Sequence, residues 1–370
     1  MPSRVSSDSP GRVLLTGDAV GGVWTYTLDL ARGLSDRGIE VVLAIVGPKP
    51  SADQQAQAHA VGKLRMVVTE LPLDWTARGE GDVRGAAAAL ASLAGETRAN
   101  LVHLHAPALS CARYQVPVVA VAHSCVATWW RTVRSGPLPE DFRWRFHLAR
   151  EGVSVADAVI APSRSFAALL SATYGEVARY LVVHNGRATE PSGRGEREPA
   201  VLTAGRLWDE GKNAALLDRA AGLMDLPVYA AGPTQAPEGA TCWFPNLRPL
   251  GTLPEYALRR RMAKTRVFAS AARYEPFGLT VLEAAQEGAA LVLSDTPTFR
   301  ELWDDAAVFL DPDDAQAWAV SLARLAAAPD TAAKLGERAR ARSALYSVKA
   351  MVEQTLAVHR SLLRAPVAAE

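Results

Sequence analysis

Short, uninterrupted apolar runs recur along the chain, and stretches with helical periodicity separate them. In the first half the runs are RVLLTG, VVLAIVG, LVHLH, VPVVAVAH, AVIAPS and YLVVHNG. Runs without polar alternation are typical of strands buried on both faces of a parallel sheet. The stretches between them, such as TYTLDLARGLSDRG and LPEDFRWRFHLAREGVSVA, have apolar residues at helical spacing. The pattern therefore predicts a doubly wound α/β domain.

A second series of the same kind follows a segment of different composition. RATEPSGRGEREPA is rich in Pro, Gly and charge and has no periodicity, which is typical of a linker. Beyond it, AVLTAG, PVYAAG, RVFAS and ALVLSD are predicted strands. We predict two Rossmann-like domains that face each other across a cleft. Their expected bounds are residues 1–186 for the first domain, 187–199 for the linker, 200–346 for the second domain, and 347–370 for a C-terminal helix that returns to the first domain.

Composition excludes several classes of protein. The 370 residues carry 40 Lys and Arg against 39 Asp and Glu, a net charge of +1, so a nucleic-acid partner is not expected. Three cysteines without a CxxC pair predict neither a disulfide framework nor a zinc site. The polar first ten residues lack the core of a signal peptide, and no apolar run approaches the ~20 residues that span a bilayer. We expect a cytoplasmic protein, and peripheral contact with the inner face of the membrane stays open.

Three loops that follow predicted strands contain the candidate chemistry. The first is TGDAVGGVW, in which Gly21 and Gly22 would let the backbone approach a ligand at a helix N-terminus. Its spacing does not match GxGxxG, which disfavours a nicotinamide dehydrogenase. The second is AGRLWDEGKNAA, where Arg206 and Lys212 could hold a diphosphate. It is not a Walker A loop, because Asn213 stands where a Ser or Thr would hold magnesium. A tight turn and two solvated cations are the plainer alternatives.

The third loop, EPFGLTVLE, is the most informative. Glu275 and Glu283 are eight residues apart, and the intervening Pro and Gly indicate a loop that enters a helix near Leu279. Backbone N–H groups at the helix start would then lie between two carboxylates, an arrangement suited to a polyhydroxylated ligand next to a phosphate. The alternative is an exposed acidic helix start that the helix dipole favours.

The segment from Glu275 to Glu283 resembles the E-x7-E motif of retaining GT-B glycosyltransferases, and more closely that of family 4, also called group 1. Nearly the whole chain shares the pattern of that family. The matching segments, in chain order, are GGVWTYTLDLARGL, LVHLH, VAHSC, APSRSF, VVHNG, AGRLWDEGKN, PLGTLP and SDTPTFRELWDDAAVFLDPDD. Each segment is weak alone, but their order and spacing together are specific.

The resemblance implies a transfer of a hexosyl unit from a UDP- or GDP-sugar to a hydroxyl acceptor such as a glycan, a glycolipid or a small metabolite. It implies no metal and no cofactor beyond the nucleotide sugar. Catalytic roles fall on His123, Arg206, Lys212 and Glu275. Donor-binding roles fall on Gly21, Gly22, Leu250, Gly251, Phe277, Gly278, Leu279 and Glu283. Among these, Glu283 would accept hydrogen bonds from the ribose, and Leu250 and Gly251 would line the base pocket.

Some features depart from the family pattern or leave alternatives open. After Asn185-Gly186 the family often has an apolar residue and Asp, whereas this chain has Arg187. A double displacement would need a nucleophile, for which Asp18 is the nearest candidate, but the resemblance implies a front-face reaction in which the leaving diphosphate takes the acceptor's proton. A non-catalytic nucleotide-sugar-binding module and a nucleotide-sugar epimerase on the same fold remain rival functions.

Two further patterns have both a functional and a structural interpretation. The pair His103 and His105 has a spacing that metal sites use, but without nearby acidic residues a structural role is favoured. The segment between Trp129 and Trp144 alternates Trp with Arg. Such a segment could bind an acceptor, contact a membrane surface, or place Trp in the core with solvated Arg beside it.

Overall fold

The computed structural model describes residues 9–176, 180–188, 195–237 and 239–364. The chain divides into two compact units. Unit 1 extends to Gly186 and includes the C-terminal helix from Val348, and unit 2 extends from Arg187 to Ser347; Thr132–Arg134 group with unit 2. The predicted linker, residues 187–199, lies partly outside the described residues.

Unit 1 is a parallel sheet covered by helices. Its strands are β1 (Arg12–Gly17), β2 (Glu40–Ile45), β3 (Leu64–Val68), β4 (Leu101–Leu104), β5 (Val118–Val121), β6 (Ala158–Ala161) and β7 (Tyr180–Val182). Its first helices are α1 (Gly22–Ser35), α2 (Ala52–His59), α3 (Glu80–Glu96), α4 (Val126–Val133), α5 (Glu140–Val155) and α6 (Arg164–Tyr174). The strand order is β3-β2-β1-β4-β5-β6-β7 in the described part of the chain, and β1 pairs in parallel with β2 and β4.

The buried runs explain why these segments form central strands. Along β1, Val13 and Leu15 pack into a core on one face of the sheet, whereas Leu14 packs into a second core on the other face. Each of these side chains is fully buried. A strand of this kind gains free energy from burial on both sides, which is why its sequence shows no polar alternation.

Unit 2 repeats the architecture. Its strands are β8 (Glu198–Ala204), β9 (Val228–Ala231), β10 (Arg248–Gly251), β11 (Thr265–Ser270), β12 (Ala290–Ser294) and β13 (Ala307–Leu310). Its helices are α7 (Ala214–Ala221), α8 (Glu255–Lys264), α9 (Leu279–Gln286), α10 (Pro297–Trp303), α11 (Ala315–Ala327) and α12 (Pro329–Ser343). The strand order within the described residues is β10-β9-β8-β11-β12-β13.

The last helix, α13 (Val348–Arg364), belongs to unit 1 and packs against α1. The contact depends on a glycine, because a Cβ built on Gly33 would lie 2.4 Å from Cγ2 of Val352. Met351, Val352 and Leu356 are buried in the same core as Leu30 of α1. A hydrophobic seam therefore fixes the C-terminal helix to the first sheet.

Candidate active site

In both sheets some of the candidate residues follow strands at the point where the strand order reverses. In unit 2 this point lies between β8 and β11, since β9 and β10 continue on one side and β12 and β13 on the other. Ligands of doubly wound sheets bind outside the carboxyl ends of the strands at such a point. Arg206 and Lys212 follow β8, and Glu275 follows β11. Neighbouring strands thus place the second and third candidate loops side by side.

The structure brings Lys212 and Glu275 into direct contact. The ammonium Nζ of Lys212 donates to Oε2 of Glu275 at 2.6 Å, and the side chains are 23% and 13% exposed. Both line a pocket at the carboxyl ends of β8 and β11, together with Gly205, Ser270 and Thr280. The two residues, separated by 63 positions, form a partly buried charged pair that opens to a pocket.

Backbone contacts hold these two loops in register. The N–H groups of Arg273 and Tyr274 both donate to the carbonyl oxygen of Gly211, at 2.9 and 3.2 Å. Gly278 precedes α9 with φ of 91°, a left-handed conformation that favours glycine. The helix begins at Leu279, as the sequence predicts, so that Glu275 lies in the loop and the amides of Phe277, Gly278 and Leu279 lie at its start.

Arg206 is held differently from Lys212. Its guanidinium donates to Oδ2 of Asp209 at 2.8 Å, and its side chain is 49% exposed. Asp209 is buried, and its Oδ1 accepts from the N–H of Gly211 at 2.9 Å. The guanidinium also lies 5.6 Å from the ring of Trp208. Asp209 thus contacts both the backbone of the loop and the guanidinium of Arg206.

Glu283 is buried on α9 and paired with an arginine. The Nε of Arg187 donates to Oε1 of Glu283 at 2.8 Å, and the side chains are 4% and 10% exposed. The pKa of Glu283 is raised above its usual value, chiefly by burial, and the charge of Arg187 limits that rise. Sequence reasoning missed this pair, although the departure of Arg187 from the family pattern was its signal.

Leu250 and Gly251 end β10 at the edge of the second sheet. The N–H of Gly232, just after β9, donates to the carbonyl oxygen of Gly251 at 2.8 Å. Both residues therefore lie at the same carboxyl edge as Lys212 and Glu275. Gly251 is exposed and Leu250 is half-buried, which leaves this segment accessible to a ligand.

In unit 1 the reversal lies between β1 and β4. Gly21 stands before α1 with φ of 67°, and Gly22 is the first residue of the helix. Before them, Asp18 accepts from the N–H of Val20 at 2.9 Å through Oδ1 and from the indole of Trp75 at 3.3 Å through Oδ2. The carboxylate of Asp18 thus has a structural part in shaping the first loop.

His123 lies two residues after β5 and belongs to a cluster of aromatic rings rather than standing alone. Its ring is 4.6 Å from that of Tyr26 and 5.1 Å from that of His105, both in edge-on geometry. His105 in turn lies 5.3 Å from His103, and Nδ1 of His103 shares a hydrogen bond of 3.0 Å with Nε2 of His359 on α13. Four histidines therefore extend from the end of β5 into the core of unit 1.

The hydrogen bonds of this cluster define the tautomer of His105. The hydroxyl of Thr27 donates to the carbonyl oxygen of Val23 at 2.7 Å, so it accepts from Nδ1–H of His105 at 2.9 Å. Burial lowers the pKa of His123 to about 4 and that of His359 to about 3. These imidazoles are therefore neutral at pH 7, and His123 can donate or accept a hydrogen bond without adding charge.

The structure also bears on metal sites, on membrane-spanning helices and on the surroundings of the segment from Trp129 to Trp144. Within the described residues no group of three or more His, Cys, Asp or Glu side chains has the geometry to hold a metal ion. Over the same ranges no helix is both long and apolar enough to cross a membrane. In the segment from Trp129 to Trp144, the guanidinium of Arg145 lies 4.3 Å from the ring of Trp144 and donates to the carbonyl oxygen of Asp74 at 2.9 Å.

Two parallel α/β sheets with polar loops at their reversal points define the GT-B class of glycosyltransferase, and solved structures of that class are similar to this chain throughout. Sucrose-phosphate synthase from Thermosynechococcus elongatus superposes with a TM-score of 0.79 at 18% identity, covering 96% of this chain and all of that one. Anabaena Alr3699/HepE in complex with UDP-glucose superposes with a TM-score of 0.74 at 16% identity, covering 95% of this chain and 100% of that one.

Sequence comparison identifies the family. The model of Glycosyltransferase Family 4 matches residues 20–190, and that of Glycosyl transferases group 1 matches residues 245–342. Alpha-maltose-1-phosphate synthase from Mycolicibacterium smegmatis is 28% identical over 346 residues, which cover 78% of this chain and 87% of the relative. The chain belongs to the family 4, or group 1, glycosyltransferases.

Proposed function

We propose that the protein is a retaining hexosyltransferase that uses a nucleotide-diphosphate sugar as donor, a UDP- or GDP-sugar in the first instance, and a hydroxyl compound as acceptor. The observation that carries the proposal is the ion pair of Lys212 with Glu275 in a pocket at the reversal point of the second sheet. A cation suits the diphosphate of such a donor, and a carboxylate suits the hydroxyls of its sugar.

The proposed roles follow the chemistry of each side chain. Lys212 and Arg206 bind the diphosphate and stabilise the negative charge that grows on it as the glycosidic bond breaks. Glu275 and the amides at the start of α9 hold the sugar hydroxyls. The neutral imidazole of His123, which burial keeps uncharged, would hydrogen-bond the donor sugar without forming an ion pair with the phosphates.

The proposed reaction is a front-face substitution. The bond between the anomeric carbon and the diphosphate oxygen breaks, the acceptor oxygen bonds to the anomeric carbon on the same face, and the acceptor's proton passes to the leaving diphosphate oxygen. Positioning and charge stabilisation are the protein's main contributions to such a step. The two cations at the loop after β8 supply positive charge to the diphosphate, so the proposal includes no resident metal and no further cofactor.

The first test is thermal unfolding with UDP, GDP, ADP and NAD at millimolar concentration. A ligand at 100 times its dissociation constant stabilises the folded state by about 2.7 kcal/mol, which is readily detected. We expect a selective rise with one nucleoside diphosphate, and Lys212→Met should reduce that rise. A response to NAD alone, or to none of the four, would contradict the proposal.

Turnover of the matching nucleotide sugar is the second test. Two of the relatives are named for phosphorylated products, maltose 1-phosphate and sucrose phosphate. The acceptor screen therefore includes sugar phosphates beside glycans, glycolipids and small hydroxylated metabolites. Transfer with retained anomeric configuration supports the proposal. Binding without transfer to any acceptor favours a binding module, and epimerised donor without acceptor favours an epimerase.

Peripheral membrane contact through the segment from Trp129 to Trp144 is part of the proposal and has its own test. Arg131 and Arg143 lie on α4 and α5 beside half-buried tryptophans, a combination suited to anionic headgroups. We expect sedimentation with vesicles that contain anionic lipid and loss of binding on charge reversal at Arg131. Absence of binding at low salt would remove this part of the proposal.

A further inference from the structure

Arg187 directly follows the boundary between the two units, and hydrogen bonds hold both its backbone and its side chain. Its N–H donates to the carbonyl oxygen of Tyr346 at 3.2 Å, and its own carbonyl oxygen accepts from Nε2 of Gln286 at 3.2 Å. Its guanidinium donates to Glu283 at 2.8 Å through Nε and to Glu255 through a terminal nitrogen. Backbone and side chain together define one orientation for this cation.

Glu283 needs such a partner to stay ionised. It is 8% exposed, and an isolated carboxylate in that setting takes up a proton rather than remain charged. When ionised, it is an acceptor at both oxygens, and Arg187 occupies Oε1. The second oxygen, Oε2, can then accept a hydrogen bond from a ligand.

The other charges around Glu283 are few in the part of the chain that the structure describes. Glu255, at the start of α8, raises the pKa of Glu283, and Arg259 on the same helix lowers it. Arg259 is itself bound to Glu287 at 2.8 Å. The buried face of α12, which also packs against α9, consists of Ala332, Gly336, Ala339 and Ser343. Arg187 is therefore the cation that directly contacts Glu283.

We propose that Arg187 is a positioning residue that keeps Glu283 ionised and presents its second oxygen to the ribose hydroxyls of the nucleotide. This inference rests on the proposed function, because it assumes a nucleoside diphosphate at this site. It adds a determinant that belongs to this chain, since the family often has an apolar residue at this position. Ribose recognition then depends on a salt bridge that the nucleotide itself does not touch.

The test compares UDP, GDP and ADP with their 2′,3′-dideoxy forms by isothermal titration calorimetry between pH 6 and 9. Hydrogen bonds to a charged group are worth enough for a preference for ribose of about tenfold or more in the wild type. In Arg187→Met we expect less than threefold preference at pH 7.5 and a rise in that preference as the pH increases, because burial raises the pKa of Glu283 and higher pH favours its charged form. Arg187→Lys should restore part of the preference at pH 7.5.

Arg259→Met is the matched control. Arg259 is equally buried and pairs with a glutamate next to α9, but it does not contact Glu283 in the described structure. Because Arg259 acts on Glu283 only through its charge and without direct contact, this variant should lose less of the preference for ribose than Arg187→Met does. Equal preference in Arg187→Met and wild type at pH 7.5 would overturn the inference. Failure of the wild type to bind any of the three nucleotides would instead overturn the proposed function.

A second variant covers the case in which Arg187→Met does not fold. Glu255 is 58% exposed, so Glu255→Gln should fold normally. The substitution removes a negative charge that raises the pKa of Glu283. The pH at which half of the ribose preference is lost should therefore move downward. An unchanged or upward-shifted midpoint would overturn the inference by an independent measurement.

Discussion

Lys212→Met is the substitution that tests the candidate site most directly. The ammonium of Lys212 is 2.6 Å from Glu275, and both groups are partly withdrawn from water. In the proposed complex the ammonium donates to the diphosphate, and a charge-assisted hydrogen bond is worth about 1.5–3 kcal/mol. Loss of that bond in the transition state should lower kcat/KM for the donor roughly 10–100-fold. Met is unbranched and only one atom shorter than Lys, so the loss reports mainly on the charge rather than on packing.

Measurements of stability can separate the pairing of Lys212 with Glu275 from its proposed role in binding the donor. Lys212→Met leaves the carboxylate of Glu275 without this partner, which should cost about 1–3 kcal/mol of unfolding free energy. Lys212→Met with Glu275→Gln removes both charges and should recover most of that free energy. The double variant should nevertheless stay as inactive as either single variant, because both groups contact the donor in the proposed complex.

The assays are urea unfolding at pH 7.5 and initial rates with the nucleotide sugar that thermal unfolding selects. Lys334→Met, at an exposed position on α12, is the control for the loss of one positive charge in unit 2. It should change neither stability nor rate measurably. A Lys212→Met enzyme within twofold of the wild-type kcat/KM would refute the assignment, and so would a double variant that regains activity together with stability.

Two further predictions concern unit 1. Burial lowers the pKa of His123 to about 4 and that of His359 to about 3, so as the pH falls these histidines take up protons in the unfolded chain before they do so in the folded protein. Each should therefore remove up to about 1.4 kcal/mol of unfolding free energy per pH unit as the pH falls from about 6.5 toward those values. An unfolding free energy that does not change between pH 7 and pH 5, or an unchanged slope in His359→Asn, would contradict this. Gly33→Ala should destabilise by about 1–3 kcal/mol because its Cβ would meet Val352 at 2.4 Å, whereas Gly85→Ala, with nothing within 4 Å, should be neutral or stabilising, and equal melting temperatures for the two variants would contradict the proposed seam.

The central strands of both sheets and the edge strand β7 could be predicted from sequence, whereas β3, β10 and β13 could not. β1 and β12 are buried on both faces and appear as continuous apolar runs. β3, β10 and β13 lie at sheet edges and are partly exposed. β3 and β10 each include an arginine, and β13 is a run of only four residues, all half-buried. β10 also contains Pro249, which an edge strand tolerates because one side has no ladder to complete. Their pairing depends on neighbours that are distant in sequence, which no local pattern encodes.

The same distinction applies to the candidate site. The start of α9 at Leu279 followed from local chemistry, because Pro276 and Gly278 exclude a helix before it. The partners of the buried polar side chains could not be predicted in this way, since His103 and His359 are 256 positions apart and Arg187 and Glu283 are 96 apart. Such pairs depend on how whole elements pack.

The two glutamates of the E-x7-E segment have different environments, and we therefore expect them to have different roles. Glu275 is paired with Lys212 next to a pocket, where a bound diphosphate could draw the lysine away and free the carboxylate for sugar hydroxyls. Glu283 is paired with the buried Arg187, and no ligand could displace that cation without exposing a buried charge. The first pair can therefore rearrange as the donor binds, whereas the second is organised beforehand. Two carboxylates eight positions apart thus combine one adaptable group with one fixed group, which suits the proposed function, in which the nucleotide is held while the sugar leaves it.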